Sequence, residues 1–501
     1  MEWLLGKKEV RKVALVSYFY ETNQTKMLIP ELERHFNWST YMIKSLINEL
    51  LHDQKRFGIP EQGRLRLSPS EREVELIPGN RAYLLSLTAN YIKESYLFRT
   101  LVVGMTNNPT ALSVLAENLK VPKLHLKNDI HQFNDRARTA NIEINTYNRL
   151  QGDEWAIRIM LVSIFKNVIH DEIELAEFFA PDIIRQANQV ARFYQMSNVE
   201  AGHLTDHQHL SLMIELAVWL VRLNARCAIS SSDQYKLLLP DDQLDDAYRN
   251  LLGLNESVIR RFVRLPPHEL SLESRYGVIM FVRVGISDGH LSRNASPEVA
   301  KVHSMLTTIA QTVYREFFGQ DMPQDLSTQL TRQLELPTMR LLFLTHINYQ
   351  GNDDYTINHS LFPEYALFTD RFLTRVNEYL GIKTLNIKNR MFRMFYNLFI
   401  GILDRQVMIP QLQVSLRIRD TFMHEEVAAM LMRQAELRVD VSDELGQCDM
   451  VISDTLLPHT DDTRVIVWTT LPTFAEFDSF LHTAVNLTMD KFTKSIYERA
   501  N

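Results

Sequence analysis

The sequence has little cysteine and no long apolar run, and these absences narrow the class of protein. Only Cys227 and Cys448 occur in 501 residues, which argues against a disulfide framework and a cysteine-based zinc site. No window holds the roughly 18 uncharged apolar residues of a membrane span. The start of the chain, MEWLLGKKEVRK, puts charge where a signal peptide needs an apolar stretch. The sequence therefore predicts a cytoplasmic protein without a membrane partner.

Signatures of catalysis are also missing from the sequence. It contains no Gly-rich phosphate loop, catalytic triad or paired-carboxylate motif that stands above background. His203, His207 and His209 imitate a metal cluster, but positions two apart do not share a helix face and no cysteine flanks them. We therefore expect no enzymatic activity, no cofactor and no metal.

The charge is unevenly divided along the chain. The net charge is −7, but residues 1–150 carry 21 Lys and Arg against 16 Asp and Glu, whereas the remainder carries 33 against 45. A basic segment on an acidic chain favours an anionic partner at that end, although chance variation between domains gives the same asymmetry.

Residues 8–58 follow the layout of a helix-turn-helix unit. A short helix with Pro30 in its first turn is followed by a tight turn at Asn37 and a longer helix capped by Ser39. Apolar residues from Ile43 to Leu51 recur at helical spacing and form the inner stripe of that helix. Its candidate DNA contacts are Ser39, Thr40, Tyr41, Lys44, Ser45 and Asn48.

A hairpin is predicted over residues 64–78, with the turn at Ser68-Pro69-Ser70. It would form a wing on which Arg64 and Arg66 face outward toward phosphate. The alternative is a plain helical bundle with a hairpin and no role in DNA binding.

The same layout returns in the next segment, which gives a second helix-turn-helix candidate. A helix over residues 91–106 precedes a short helix opened by Pro109 and a longer one opened by Pro122. Ile142-Glu143-Ile144 would begin a second wing. The outer face of the longer helix is rich in cations. The candidate DNA contacts here are Lys120, Lys123, His125, Lys127, Asn128, His131, Arg136 and Arg138.

Residues 150–405 are helical in pattern, and one segment of this region resembles a known regulatory motif. Leu204 to Leu210 is similar to the first histidine motif of the regulation domains (PRDs) of the sugar phosphotransferase system (PTS). The resemblance implies phosphorylation of His207, with His203 and His209 as near neighbours; a solvated histidine at a helix start is the alternative. A second motif resembles Glu273 to Val282, but the family's histidine is absent there and also near Gln329 and in Met391–Ile400.

The C-terminal pattern from residue 411 predicts a small α/β sheet. Strands are expected at Val414–Arg419, Leu437–Val441, Cys448–Ser453 and Val465–Thr469, with helices at Glu425–Ala435 and 473–490. The segment resembles the EIIB component of the PTS. The loop Arg419-Asp420-Thr421-Phe422 lacks the phosphoryl-accepting cysteine of that component, and Cys448 is expected to be a core residue. The resemblance therefore implies a catalytically inert contact module.

Taken in order, these segments resemble the Mga/AtxA family of virulence and global transcription regulators of Gram-positive bacteria. The stretches Leu361 to Tyr365 and Cys448 to Asp454 are also similar to family segments. The implied fold class is a mainly α multi-domain chain. Its expected domains are a first winged helix-turn-helix unit (1–80), a second unit (81–150), two PRD-like helical bundles (151–285 and 286–408) and an EIIB-like α/β domain (409–501).

The resemblance implies a DNA-binding transcription regulator, usually an activator. It further implies a homodimer formed through the C-terminal half, with PTS phosphocarrier proteins as further partners. Two alternatives remain at this point: a PTS-linked RNA-binding antiterminator and a phosphotransferase-type carrier. An antiterminator begins with a small β-rich RNA module, whereas this chain begins with helices.

Overall fold

A computed structural model describes residues 2–22, 24–197, 204–230, 236–284, 294–344, 362–380, 386–434, 437–442, 448–457 and 465–500. The chain divides into two compact units, one comprising Met1–Ala300 with Met339–Asn352 and the other Lys301–Thr338 with Asp353–Asn501. No helix in the described ranges is both long and apolar enough to cross a bilayer.

The first 152 residues contain two successive arrangements of helices closed by a short hairpin. In chain order the elements are α1 (Lys7–Thr22), β1 (Lys26–Leu28), α2 (Ile29–Phe36), α3 (Thr40–Phe57), β2 (Leu65–Leu67), β3 (Glu73–Leu76), α4 (Ala82–Glu94), α5 (Tyr96–Met105), α6 (Leu112–Leu119), α7 (Lys123–Ala137), β4 (Ile142–Ile144) and β5 (Leu150–Gly152). The predicted hairpins are both present.

The core of the first arrangement is formed by the apolar stripes predicted from the sequence. Leu15, Val16 and Phe19 of α1 are fully buried against Ile43 and Ile47 of α3 in one hydrophobic cluster. Burial of this stripe is the main driving force for a helix that carries polar residues on its other face. A third strand, β1, pairs antiparallel with β3 and gives the sheet order β1-β3-β2. The alternation of a three-residue strand is too short to be recognised in the sequence.

The helix predicted over residues 91–106 is wrong in its extent, because two helices occupy this region. The backbone at Ser95 is extended, with φ −60° and ψ 132°, so α4 ends there and α5 begins. The Ser95 hydroxyl donates to the Leu4 carbonyl and accepts from the Phe98 N–H, which caps α5. The serine cap ends one helix and begins the next, but the apolar spacing of the sequence continues across it, so the pattern alone predicts one helix.

The helical pattern of residues 150–405 is confirmed as helices over the described residues. They are α8 (Glu154–Phe165), α9 (Glu172–Phe178), α10 (Pro181–Ser197), α11 (Asp206–Asn224), α12 (Asp246–Phe262), α13 (Pro267–Val284), α14 (Pro297–Phe318), α15 (Gln324–Gln333), α16 (Glu335–Leu344), α17 (Pro363–Leu380), α18 (Asn386–Ile402) and α19 (Arg405–Met408). Gln329 lies on α15, and the stretch Met391–Ile400 lies on α18. In the compact unit that comprises Met1–Ala300, helices α8 and α11 are buried on nearly all sides, as expected for central helices.

The C-terminal sheet is parallel throughout its described strands. They are β6 (Leu412–Arg417), β7 (Val439–Ser442), β8 (Met450–Ser453) and β9 (Val465–Val467), in the order β7-β6-β8-β9, with α20 (Thr421–Met432) and α21 (Phe474–Ala500) packed beside them. The predicted small α/β sheet is thus confirmed. A parallel sheet needs its helices to cover the apolar strands, and Val427 of α20 and Phe480 of α21 are buried in the same cluster as Leu416.

Three details of the C-terminal prediction need correction. The helix expected from Glu425 begins at Thr421, because the Asp420 carboxylate accepts a bond from the Met423 N–H at 2.8 Å and caps it; its predicted last residue, Ala435, lies outside the described residues. The terminal helix extends to Ala500 rather than residue 490. Cys448 lies two residues before β8 and is half-buried, so it is not a fully buried core residue.

Candidate nucleic-acid interface

The turn between α2 and α3 has the geometry that places a recognition helix. Asn37 adopts a left-handed conformation with φ 54°, which an asparagine tolerates and which reverses the chain within three residues. Ser39 then caps α3, its hydroxyl accepting from the Met42 N–H at 3.3 Å. A short helix, a tight turn and a capped helix carry the N-terminal residues of α3 to the surface, where a recognition helix meets the major groove.

Several predicted contact residues of α3 are bonded within the protein. Lys44 Nζ lies 2.7 Å from Glu71 Oε2 in the β2–β3 turn, and this hydrogen bond lowers the pKa of the Glu71 carboxyl. Thr40 donates to Glu33, and Ser45 donates to Glu49 at 3.2 Å. Tyr41 and Asn48 are exposed. The Lys44–Glu71 pair links the start of the recognition helix to the wing, and a phosphate would compete with Glu71 for this lysine.

The expectation that Arg64 faces outward is wrong. Its side chain is only 16% exposed, and Nη1 donates to Gln54 Oε1 of α3 at 3.0 Å. Arg64 precedes β2, and its guanidinium folds back on the helix because Gln54 offers a buried acceptor there. Arg66, in contrast, is exposed on β2 and forms an ion pair with Glu75 at 2.8 Å.

The second arrangement repeats this geometry between α6 and α7. Lys120 ends α6 in a left-handed conformation with φ 54°, and Pro122 stands at the N-cap position of α7. Leu126 of α7 is fully buried against Leu115 and Val121, which sets the crossing of the two helices. The hairpin β4–β5 follows α7 as a wing, with Ile142 opposite Gly152 in its antiparallel register.

The second wing is fastened to the recognition helix by one side chain. The Asn134 amide of α7 donates to the Ile144 carbonyl at 2.9 Å and accepts from the Ile144 N–H at 2.8 Å. The asparagine therefore satisfies both backbone groups of a β4 residue, as a neighbouring strand would.

The outer face of α7 is cationic and largely unengaged. Every predicted contact residue of this unit is exposed: Lys120, Lys123, His125, Lys127, Asn128, His131, Arg136 and Arg138. His131 and Arg138 both bond Asp135, at 2.9 Å and 2.8 Å. The other six side chains form no hydrogen bond or ion pair with any residue that the structure describes. Unlike Lys44 in α3, the lysines and Arg136 of this set need no internal partner displaced before they contact phosphate.

The segment that holds this surface matches a family model. Residues 80–165 match the model of the Mga helix-turn-helix domain, from just before α4 to the end of α8. The chain carries an Mga helix-turn-helix domain. The predicted resemblance to the Mga/AtxA family is confirmed by this match, which indicates a DNA-binding transcription regulator. A search of curated proteins gives no significant match to the chain.

The Mga helix-turn-helix domain is joined to the central helices by buried charges. Arg222 of α11 pairs with Glu154 of α8, and its guanidinium donates to the carbonyls of Met105 and Leu150, at 3.1 and 3.3 Å. These two carbonyls lie at the end of α5 and the start of β5, so one side chain of α11 holds three elements of the domain. The Arg222 Nη2 and Glu154 Oε2 atoms are 2.5 Å apart. Removing either member of such a buried pair would leave the other charge buried without this partner, which is strongly destabilising.

A second buried pair lies beside the first one. Arg158 of α8 is fully buried and donates twice to Glu273 of α13, at 2.7 and 2.8 Å. Trp219 Nε1 of α11 donates to the same carboxylate at 2.8 Å. Burial alone would lower the pKa of Arg158, but the charges of Glu273 and Glu154 raise it, so the guanidinium stays charged.

His207 and His209 lie on α11, whereas the candidate DNA contacts lie on other elements, mainly α3 and α7. His207 is exposed in the first turn of α11, where the Thr205 hydroxyl accepts from the Gln208 N–H at 3.2 Å and caps the helix. His209 Nε2 lies 3.4 Å from Glu172 Oε1. His203 lies outside the described residues. The helix that presents His207 ends at Asn224, two residues after Arg222, which bonds the Mga helix-turn-helix domain.

Sequence reasoning missed the side chains that hold the interface together. Arg158 and Arg222 are lone cations inside apolar helices, a signal that predicts buried partners. Leu124 is apolar yet out of phase with the buried stripe of α7, which predicts an exposed apolar side chain on the outer face. Asn134 left no comparable signal, because its backbone partner belongs to a strand that could only be placed by folding the chain.

Proposed function

We propose that this chain regulates transcription by holding duplex DNA through two winged helix-turn-helix units. The observation that carries the proposal is the Mga helix-turn-helix match over a segment in which α7 has an outer face of unengaged cations. Cations of this kind supply affinity by releasing counterions from phosphates, and the polar residues of the same face supply sequence reading.

The first winged helix-turn-helix unit contacts the same DNA duplex. Its recognition helix α3 offers Ser39, Thr40, Tyr41, Lys44, Ser45 and Asn48, and its wing offers the exposed Arg66. Because Lys44 and Arg66 are already paired with Glu71 and Glu75, this unit contributes less phosphate affinity than α7.

The acidic remainder of the chain, from residue 151 onward, would control DNA binding. The proposed regulator acts in the cytoplasm, mainly as an activator, and forms a homodimer through its C-terminal half with the EIIB-like domain at 409–501. The proposed domain limits are 1–80 and 81–150 for the DNA-binding units and 151–285 and 286–408 for the PRD-like bundles. PTS phosphocarrier proteins would phosphorylate His207, which is supported by its exposed position at the start of α11; His203 and His209 are its neighbours.

The proposal is tested by titrating duplex DNA over a range of salt concentrations. We expect Lys123→Gln/Lys127→Gln to weaken binding to all duplexes alike and to make the slope of log K against log salt shallower by about 2, since each lost phosphate contact removes about 0.9. Fluorescence anisotropy with a labelled duplex measures both quantities. The matched control is Arg264→Gln/Lys301→Gln, which removes the same charge from exposed positions elsewhere.

An unchanged salt slope in the α7 variant would contradict the proposal, as would an equal effect of the control. An RNA hairpin is titrated in parallel. Preference for the hairpin over the duplex would indicate the antiterminator alternative instead.

A further inference from the structure

The outer face of α7 contains one large apolar side chain at its leading end. Leu124 is the second residue of the helix and is 66% exposed, whereas Leu126 and Phe133 point into the core. Residues three, four and seven positions further along share its face, so Leu124, Lys127, Asn128 and His131 form one outward stripe. A single exposed leucine is ordinary on a protein surface, but Leu124 lies at the N-terminal end of a recognition helix.

Position gives Leu124 a specific chemical partner. The first residues of a recognition helix lead into the major groove, where each base pair shows a distinct pattern of donors, acceptors and, for thymine, a methyl group. Leucine has neither a donor nor an acceptor, so the thymine methyl is the base feature that it complements. Between Lys123 and the exposed His125 it would otherwise be an apolar gap in a polar surface.

Asn128 stands one helical turn further along the same stripe. Its amide is exposed and is not hydrogen-bonded to any described residue, so both its donor and its acceptor are available. An asparagine amide pairs bidentately with the N6 and N7 atoms of adenine. Four residues of α-helix rise by about 6 Å, so the two side chains reach positions within about two base-pair steps of each other.

The first unit has a comparable residue at the same helix position. Tyr41 is the second residue of α3 and is 83% exposed. Its polar neighbours Thr40 and Lys44 are bonded to Glu33 and Glu71, in contrast to Asn128 and Lys127. The polar side chains beside this leading residue are therefore not bonded to any described residue on α7, whereas on α3 they are bonded within the protein.

We infer that α7 selects A·T base pairs, with Leu124 packing on a thymine methyl and Asn128 pairing with an adjacent or next-nearest adenine. The inference rests on the proposed function and adds which base pairs the second unit reads. Lys123 and Lys127 then contact phosphates, whereas Leu124 and Asn128 contact bases, so one helix supplies both phosphate affinity and sequence reading.

The experiment uses duplexes selected by the full-length chain from a random pool. In the best-bound duplex, each thymine is replaced in turn by deoxyuridine, which removes only the methyl group, and each adenine by 7-deazaadenine, which removes only the N7 acceptor. For the unmodified protein we expect about a fourfold loss of affinity at one thymine, the worth of one buried methyl-sized group. At one adenine we expect at least about a fivefold loss.

The protein variants assign these losses to side chains. Leu124→Ala should bind the natural duplex more weakly and show no further loss at that thymine, and Asn128→Ala should do the same at that adenine. Leu85→Ala, at an exposed leucine of α4 with a similar exposure of 63%, should keep both losses at their full size. Circular dichroism checks that the variants are folded.

Two outcomes overturn the inference, and they differ in what else they overturn. If deoxyuridine costs Leu124→Ala as much as the unmodified protein at every thymine, Leu124 does not read a methyl group, while salt-dependent duplex binding leaves the proposed function intact. If no duplex is retained from the pool at low salt, the proposed function fails and the inference fails with it.

Discussion

At the scale of single residues, buried charges hold the first winged unit together. Lys12 of α1 lies 2.6 Å from the Asp53 carboxylate of α3, and Tyr91 of α4 donates to the same oxygen at 2.6 Å. The side chains of Lys12 and Asp53 are only 6% and 9% exposed. Although burial alone would raise the pKa of Asp53, the bonds from Lys12 and Tyr91 hold it below its usual value. The cluster also ties α4, the first helix of the Mga domain, to the first unit.

We expect Asp53→Asn to lower the stability of the first unit by about 2 kcal/mol at pH 7. The loss is below the range for broken buried pairs because Glu49 keeps a contact with Lys12 at 3.2 Å. A carboxyl whose pKa is lower in the folded state stabilises the fold above its unfolded pKa of about 3.9, and this stabilisation is lost as pH falls through the folded value. The difference between variant and parent should therefore vanish in acid.

Hydrogen exchange of the α1 and α3 amides, measured between pH 7 and pH 3, checks this prediction. Glu61→Gln is the control, since it weakens the contact between the exposed Glu61 carboxylate and Arg64 and should change stability by less than about 0.5 kcal/mol. A constant difference over the whole pH range would show that Asp53 does not act through its charge.

Single residues also mark the limit of what the sequence could predict about the site. The exposed cations of α7 follow from helical periodicity, because polar residues opposite an apolar stripe must face solvent. Arg64 did not follow, since its partner Gln54 belongs to a different element and only the fold brings the two together. A residue's exposure can be predicted from its own helix, but its partner across elements cannot.

At the scale of elements, the sequence predicted the recognition helices and both hairpins, and it failed where local signals were short or ambiguous. Pro30, Ser39 and Pro122 mark the starts of helices, and such residues can be recognised from the local sequence. Strand β1 has only three residues, and the break at Ser95 lies in a continuous apolar pattern. The extended backbone at Ser95 is stabilised by its bond to the distant Leu4 carbonyl, which no local pattern contains.

The attachment of the second wing to α7 gives the prediction at this scale. Asn134→Ala removes both bonds to Ile144 and leaves its N–H and carbonyl groups without their partner, which should cost about 1–3 kcal/mol. The loss should appear as faster hydrogen exchange in β4 and β5, with α7 unchanged, and as weaker duplex binding. Asn134→Asp retains the acceptor for the Ile144 N–H, so its exchange rates and duplex affinity should lie between those of Asn134→Ala and the parent protein.

Gln132→Ala changes a neighbouring exposed residue of α7 that forms no bond to the wing, and it serves as the matched control. Equal exchange rates in the wings of Asn134→Ala and Gln132→Ala would mean that the hairpin holds its place without the asparagine.

At the scale of the whole molecule, the compact unit that comprises Met1–Ala300 contains both the basic segment 1–150 and helices of the acidic remainder. The basic surface of α7 and the largely buried helices α8 and α11 belong to one compact body, in which Arg222 of α11 pairs with Glu154 of α8. The sequence could predict that residues 1–150 favour an anionic partner, because charge is a sum over composition. It could not predict the joint, because Arg222 is 117 and 72 residues away in sequence from Met105 and Leu150, whose carbonyls it binds.

The joint predicts that a change far from the DNA surface will alter DNA binding. Arg222→Met keeps most of the side-chain volume but leaves the Glu154 carboxylate with Arg158 as its remaining cationic partner and leaves two carbonyls without their donor, which should destabilise the contact by about 3 kcal/mol. Hydrogen exchange should rise at the end of α5 and in β5, and duplex affinity should fall with an unchanged salt slope, since no phosphate contact is lost. Arg226→Gln changes an exposed arginine four residues on and should leave both quantities unchanged.

Replacing Glu154 as well distinguishes a missing bond from a general loss of packing. In Arg222→Met/Glu154→Leu the carboxylate that lost Arg222 is absent, and Arg158 keeps its two bonds to Glu273, so much of the stability should return, as apolar replacements of buried pairs commonly allow. Duplex affinity should recover only in part, because the carbonyls of Met105 and Leu150 still have no donor holding α5 and β5 on α11. Full recovery of affinity would show that the charge balance of the pair, rather than the three-point attachment, orients the Mga domain.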